Sequence, residues 1–195
     1  PDGLPAPAPL VSAGQSSPPT TPATESDSDL DSSAPSYEQQ LQQWSNEVGQ
    51  RIASAVRYLN GRGQLNLVLI TTGTSSAATV QYLLDTQQLN EQGEAKRGMA
   101  LVIIQPRNLP APLPPLETSL AGLVIPVLDL VASERADVAA SEAASRAGAM
   151  RHQQRRLYRQ YLLTTVAGEL DNRQALRQIR GWLKTRAAGT ELGRR

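Results

Sequence analysis

The segment ITTGTSSA, residues 70–77, follows the apolar run LNLVL and reads G-x-S-x-A from Gly73 to Ala77. A serine in such a strand-to-helix turn is set to attack an acyl carbon, with the oxyanion held by backbone N–H groups at the helix start. That chemistry needs a base, because a serine hydroxyl near neutral pH is a poor nucleophile until an adjacent group, usually His, accepts its proton. The chain has one histidine, His152, within AMRHQQRRLYRQ, and there it reads as an exposed helix residue among arginines. The acid candidates are Asp129, Glu134 and Asp137. Asp129 falls inside an apolar run, where a buried carboxylate needs a partner such as Arg; it is a hydrogen-bonded anchor or an orphaned triad acid. Glu134 and Asp137 fall in the first turn of an expected helix, where the helix dipole favours negative charge.

Other chemistries find less material. With no cysteine and one histidine, the chain offers no disulfide, no thiolate and no metal cluster of sensible spacing, so neither a metal nor a cofactor is expected. Thr71, Thr72, Gly73, Thr74, Ser75 and Ser76 are the candidate ligand-binding residues. Backbone amides and hydroxyls at a helix start can cradle an anion, although TTGTSS is neither a P-loop nor G-x-G-x-x-G, and Ser or Thr there also serve as N-caps. A second candidate surface is basic: Arg155, Arg156 and Arg159, joined by Arg173, Arg177 and Arg180, with Arg151 and Lys184 beside them. It reads as a solvated helix face or as an attractor for an acidic protein, an anionic glycan or a lipid surface. Nucleic acid is disfavoured, because the nearby Tyr158, Tyr161 and Trp182 read as packing residues rather than stacking platforms.

The elements that must position these residues follow from hydrophobic period. Ser36 and Gln39 form a capping-box pair, after which Leu41, Trp44, Val48, Ile52, Val56 and Leu59 recur every three or four residues. That predicts an amphipathic helix over 37–60. Strands are expected over 65–72, 99–105, 124–130 and 157–166, and helices over 76–84, 116–120, 134–155 and 172–185. In the last helix Leu176, Ile179 and Leu183 are assigned to the buried face. Strands alternate with helices and are mostly solidly apolar, which points to a parallel sheet covered on both faces.

Composition bounds the rest. The chain has 195 residues, 39% hydrophobic, without phenylalanine and with 4% aromatics, so its core must rest on Leu, Val, Ile and Ala. Net charge is +1, which gives no global pull towards nucleic acid or membrane. The balance is uneven: residues 1–60 carry seven acidic against two basic side chains, and residues 131–195 carry thirteen basic against six acidic. No run approaches the ~18 apolar residues of a membrane span. Residues 1–36 are rich in Pro, Ser and Asp and read as a flexible segment, residues 37–186 as the folded domain and 187–195 as a flexible tail. The chain opens on Pro rather than Met, which reads as a processed or trimmed product, a removed signal peptide being the expectation for what preceded it.

The order of these parts resembles the later half of the α/β-hydrolase fold. LNLVLITTGTSSA looks like the strand, nucleophile elbow and helix of that fold, and GLVIPVLDL looks like the later strand that commonly carries the acid. More specifically, the chain resembles an uncharacterised bacterial family of α/β-hydrolase-like proteins of unknown function, on RIASAVRYLNGRGQLNLVLI, IPVLDL, YRQYLL and a terminal LRQIRGWLK. The resemblance covers residues 36–184, with Pro1 and Asp2 read as the end of an earlier strand. It implies a three-layer α/β fold whose N-terminal strands are absent from this chain. Aligned with that elbow, the strand places Thr71 at the first small position, Gly73 at the nucleophile and Ser75 at the last small position; a register two residues later makes Ser75 the nucleophile. The fold delivers its His from the loop after the last strand, here VAGELDNR, which holds Glu169 and Asp171 but no His. The expectation is therefore a non-catalytic binding or scaffold protein, its ligand an unidentified protein, small molecule or glycan, with an esterase-like serine hydrolase acting through Ser75 as the alternative. The resemblance points to the bacterial periplasm or envelope, with the cytoplasm as the alternative.

Overall fold

A computed structural model describes residues 35–64, 66–87, 98–132, 138–153, 156–166 and 169–187. All but the last two residues of the 1–36 segment, and all but the first of the 187–195 tail, lie outside the described residues.

Five α-helices and six strands are described: α1 (Tyr37–Gly61), β1 (Leu67–Thr72), α2 (Ser75–Thr86), β2 (Met99–Ile104), α3 (Leu116–Ala121), β3 (Val127–Ala132), α4 (Val138–His152), β4 (Tyr158–Leu163), β5 (Thr165–Val166), β6 (Glu169–Leu170) and α5 (Asn172–Trp182), the last running into a short π-helical turn over Leu183–Ala187. Strands β1 to β4 form one sheet in chain order, every neighbouring pair parallel. Strands β5 and β6 make a small antiparallel pair before α5.

Burial follows position in the sheet. Every residue of β3 is buried, and β2 is buried except at its ends. The edge strands β1 and β4 alternate instead, because only a central strand has both faces and both edges covered. Side-chain alternation then divides the core. Leu101, Ile103 and Val127 point to the side where α2, α3 and α4 contribute Val80, Leu83, Leu116, Leu120 and Met150. Ala100, Val102, Leu128, Leu130 and Leu163 point to the other side, where α5 brings Ala175, Ile179 and Trp182. The result is an α/β fold of three layers, with a parallel sheet between helices.

The start of α1 forms as its sequence demands. Ser36 Oγ accepts from the Gln39 N–H at 3.3 Å and Gln39 Oε1 accepts from the Ser36 N–H at 2.8 Å, so two donors without helical partners are satisfied reciprocally. Leu41 and Val56 are buried, while Trp44, Val48 and Ile52 are half-buried and Leu59 is exposed, because α1 packs chiefly on α2 rather than on the sheet.

Several boundaries differ from expectation by a residue or more. Strand β3 begins at Val127 rather than Val124, since Pro126 has no N–H to give a ladder. The expected strand 157–166 breaks at Thr164, whose N–H donates to Gln174 Oε1 of α5 at 2.9 Å instead of to a neighbouring strand. Of the expected helix 134–155, Val138–His152 is helical; residues 133–137, with Glu134 and Asp137, and residues 154–155 lie outside the described residues. On α5 the buried side is Ala175, Ile179 and Trp182, and Leu176, expected to be buried, is 53% exposed. Trp182, the largest side chain available, sets the inward direction, and Leu176 lies ~100° from Ala175.

Candidate functional site

Strand β1 leaves the sheet at Thr72 and the chain turns at once into α2. The turn is made at Gly73, whose φ is +57°. An L side chain there costs roughly 1–2 kcal/mol; a Cβ would nonetheless meet nothing within 4 Å. The position is therefore fixed by backbone angle, and the space for a side chain is vacant. Backbone bonds tie the turn to the end of β2: Gly73 N–H donates to Ile104 O at 3.0 Å and Arg107 N–H donates to Gly73 O at 3.2 Å. Beside it Gln105 also has positive φ, +47°, a strained angle for a non-glycine residue that nothing in its sequence surroundings signals.

The hydroxyls of the turn bond to one another. Ser75 Oγ donates to Thr72 O at 2.7 Å and lies 2.9 Å from Thr71 Oγ1, while Thr79 Oγ1 donates to Ser75 O at 2.8 Å. This corrects the capping expectation: the N-cap residue of α2 is Thr74, it makes no side-chain cap bond, and Ser76 is fully buried, its hydroxyl without a hydrogen-bond partner among the described residues. Thr72 and Thr74 are exposed. The recess at the ends of β2 and β3, lined by Gln105, Arg107, Val131 and Ala139, holds about 10 Å³, room for one water at most.

No base or acid reaches Ser75 among the described residues. His152 is the last residue of α4, which leaves the C-terminal end of β3 and returns to the start of β4. It therefore lies at the opposite end of the sheet from the turn, exposed. Asp129 shares a row with Thr71, but Ile103 stands between them in register, and two strand spacings separate their backbones by ~10 Å. Asp171 is an N-cap, accepting from the N–H groups of Arg173 and Gln174 at 2.9 and 3.3 Å.

Asp129 has the Arg partner its burial required. Its Oδ2 accepts from Arg146 Nε of α4 at 2.9 Å, Tyr158 Oη at 2.6 Å and Gln160 Nε2 at 3.0 Å. Gln160 is locked in turn by donating to Ala143 O at 3.0 Å. Asp129 and Arg146 are both 0% exposed, yet Asp129 Oδ1 and Arg146 Nη1 lack partners among the described residues. The sequence announced an Arg without saying which, because Arg146 sits on a helix whose alanines give little facial contrast.

Burial, and next the Asp129 carboxylate, push the Tyr158 hydroxyl well above its ordinary range. Tyr158 then stays protonated in the folded protein while an unfolded tyrosine ionises near ~10. Its contribution to stability is complete below that pH and is lost as pH rises beyond it. The urea midpoint of the wild type is expected to fall above pH ~10, and Tyr158→Phe to flatten that fall; equal slopes in both proteins would contradict the burial argument.

Of the basic residues, Arg155 lies outside the described residues. Arg156, Arg159, Arg173, Arg177, Arg180 and Lys184 are exposed, and among the described residues none is in an ion pair. On α5 the cations face away from the buried Ala175, Ile179 and Trp182. Among the described residues no group of three His, Cys, Asp or Glu side chains could hold a metal ion, and no described helix is long and apolar enough to cross a membrane.

Fold and site together define an α/β protein with a parallel sheet and a tight glycine turn at the end of its first described strand. The chain belongs to the family described as Protein of unknown function (DUF3530), whose model matches residues 1–185. No curated protein and no solved structure matches it.

Proposed function

We propose that this domain is a non-catalytic, α/β-hydrolase-like binding or scaffold module of the bacterial envelope. The observation that carries the reading is Gly73 at φ +57°. A nucleophile elbow holds its nucleophile in a strained turn between strand and helix, and here that position belongs to a residue with no reactive atom. Ser75, two residues further on, spends its hydroxyl on Thr71 and Thr72. The chain's one histidine, His152, is at the other end of the sheet. A binding role retains the geometry and dispenses with the chemistry. The envelope location rests on the family resemblance alone, and fractionation of cells carrying the full-length protein tests it.

The catalytic reading is tested directly. Incubated with a fluorophosphonate serine probe, the full-length protein is expected to show no labelling and no turnover of short-chain esters. Labelling at Ser75 would make the protein a hydrolase and end the non-catalytic reading.

A further inference from the structure

We propose that the groove between α1 and α2 is a binding site for a neutral polyhydroxylated ligand, an oligosaccharide chain. The groove holds about 700 Å³, within the ~300–1,000 Å³ usual for small-molecule sites. It opens on the outer side of the helical layer rather than at the ends of the strands.

Its shape follows from spacing on α1. Ser45, Gly49 and Ala53 recur every four residues and, with Ala78 of α2, make a floor of small side chains. Gln42, Asn46 and Gln50 recur at the same interval and make one wall; Gln81, Tyr82 and Asp85 of α2 make the other. The loop Pro112–Pro114 closes one end. That loop is pinned from its two flanks: Asn108 Nδ2 donates to Glu117 Oε2 at 3.3 Å, and the Leu116 N–H donates to Asn108 Oδ1 at 2.9 Å.

The chemistry of the lining selects the ligand. Among the described residues no Lys, Arg or His lines the groove, and the one carboxylate, Asp85, accepts from Gln81 Nε2 at 2.8 Å. An anionic ligand finds no cation among them. A hydrocarbon would strip water from four primary amides without returning a hydrogen bond. A sugar hydroxyl both donates and accepts, and a primary amide offers both partners from one rigid plane. Two contacts engage part of this set: Gln42 Nε2 donates to Asn46 Oδ1 at 3.2 Å and Gln81 Nε2 to Asp85, each amide keeping further donors and acceptors for a ligand. Tyr82 lies over Gly49, its Cδ2 3.8 Å from where a Cβ would stand, and gives the apolar ring against which sugar C–H groups pack. An extended peptide is served less well. The usual peptide modes use a sheet edge, an apolar groove for an amphipathic helix, or an aromatic-lined slot for proline-rich segments. Helical walls of amides with one aromatic ring provide none of these.

The site gives the binding role proposed above a location and a ligand class, and the two tests separate: labelling of Ser75 would overturn the non-catalytic reading and leave sugar binding untouched. The experiment titrates the full-length protein with maltotetraose, cellotetraose and chitotetraose, following the side-chain amide resonances of Gln42, Asn46 and Gln81 by NMR. At least one sugar is expected to produce saturable shifts with a Kd of ~1 mM or tighter. Gln42→Ala with Gln81→Ala, at an exposed and a half-buried position, is expected to weaken it at least ~tenfold with the thermal midpoint preserved. No saturation by any of the three, shifts that survive in the double variant, or the same shifts produced by a neutral tetrapeptide but by no sugar would each overturn the proposal.

Discussion

Arg146→Ala is expected to lower the unfolding free energy by ~3–5 kcal/mol. The size follows from what is left behind. Asp129 is fully buried, and without the guanidinium its charge would keep, among the described residues, the Tyr158 hydroxyl and the Gln160 amide. A carboxylate held away from water with no opposing charge is among the most expensive groups a core can contain. Asp129→Ala should lose a similar amount, because it strands Arg146 in the same place. The double variant Asp129→Leu with Arg146→Met is expected to recover much of the loss without reaching the wild type, because it removes both buried charges but also the acceptor of the Tyr158 hydroxyl. Among the described residues the intact pair is incompletely compensated: three donors converge on Oδ2, while Oδ1 and Arg146 Nη1 have no partner. Urea unfolding of the four proteins at neutral pH decides it. A loss below ~1 kcal/mol in Arg146→Ala would mean that the pair is more hydrated than its geometry indicates.

This pair also marks how far the sequence could be read. Asp129 inside an apolar run requires a partner wherever the fold is drawn, so the existence of the interaction was legible. Its identity was not, since alanines at Ala139, Ala140, Ala143, Ala144, Ala147 and Ala149 give α4 almost no facial contrast. Helix α1 was legible at its start, because a capping box is a local device. It was less so along its length, because Leu59 repeats with the right period but is exposed. The glycine turn was legible as a turn, since Gly73 follows an apolar strand and precedes Ser and Thr. The absence of a side-chain cap on α2 was not, because Ser75 is equally able to bond backward to Thr71 and Thr72. The α1–α2 groove was invisible for a further reason: Gln42, Asn46 and Gln50 fall on the polar side of the period, and polarity alone does not distinguish a groove wall from open surface.

Removal of Trp182 carries the second large effect. Trp182 is 4% exposed and is the largest residue α5 packs against Val102, Leu128, Leu130 and Leu163. Trp182→Ala is expected to cost ~3–5 kcal/mol, and the damage should be directional. On the described residues α5 is the helix covering that face of the sheet, so loosening it exposes Leu128 and Leu130 while leaving the α2–α3–α4 side packed. Hydrogen exchange should therefore quicken in α5 and β4 before it does in β2. Trp182→Phe separates volume from polarity. Its ring retains most of the apolar contact, and it deletes an indole N–H that is buried without a partner among the described residues, a defect worth ~1–3 kcal/mol. The two changes oppose each other, and the net effect is expected to stay within ~1 kcal/mol of wild type. A Phe variant as unstable as the Ala variant would show that the indole ring's outer edge, and not the bulk of the ring, holds α5 to the sheet.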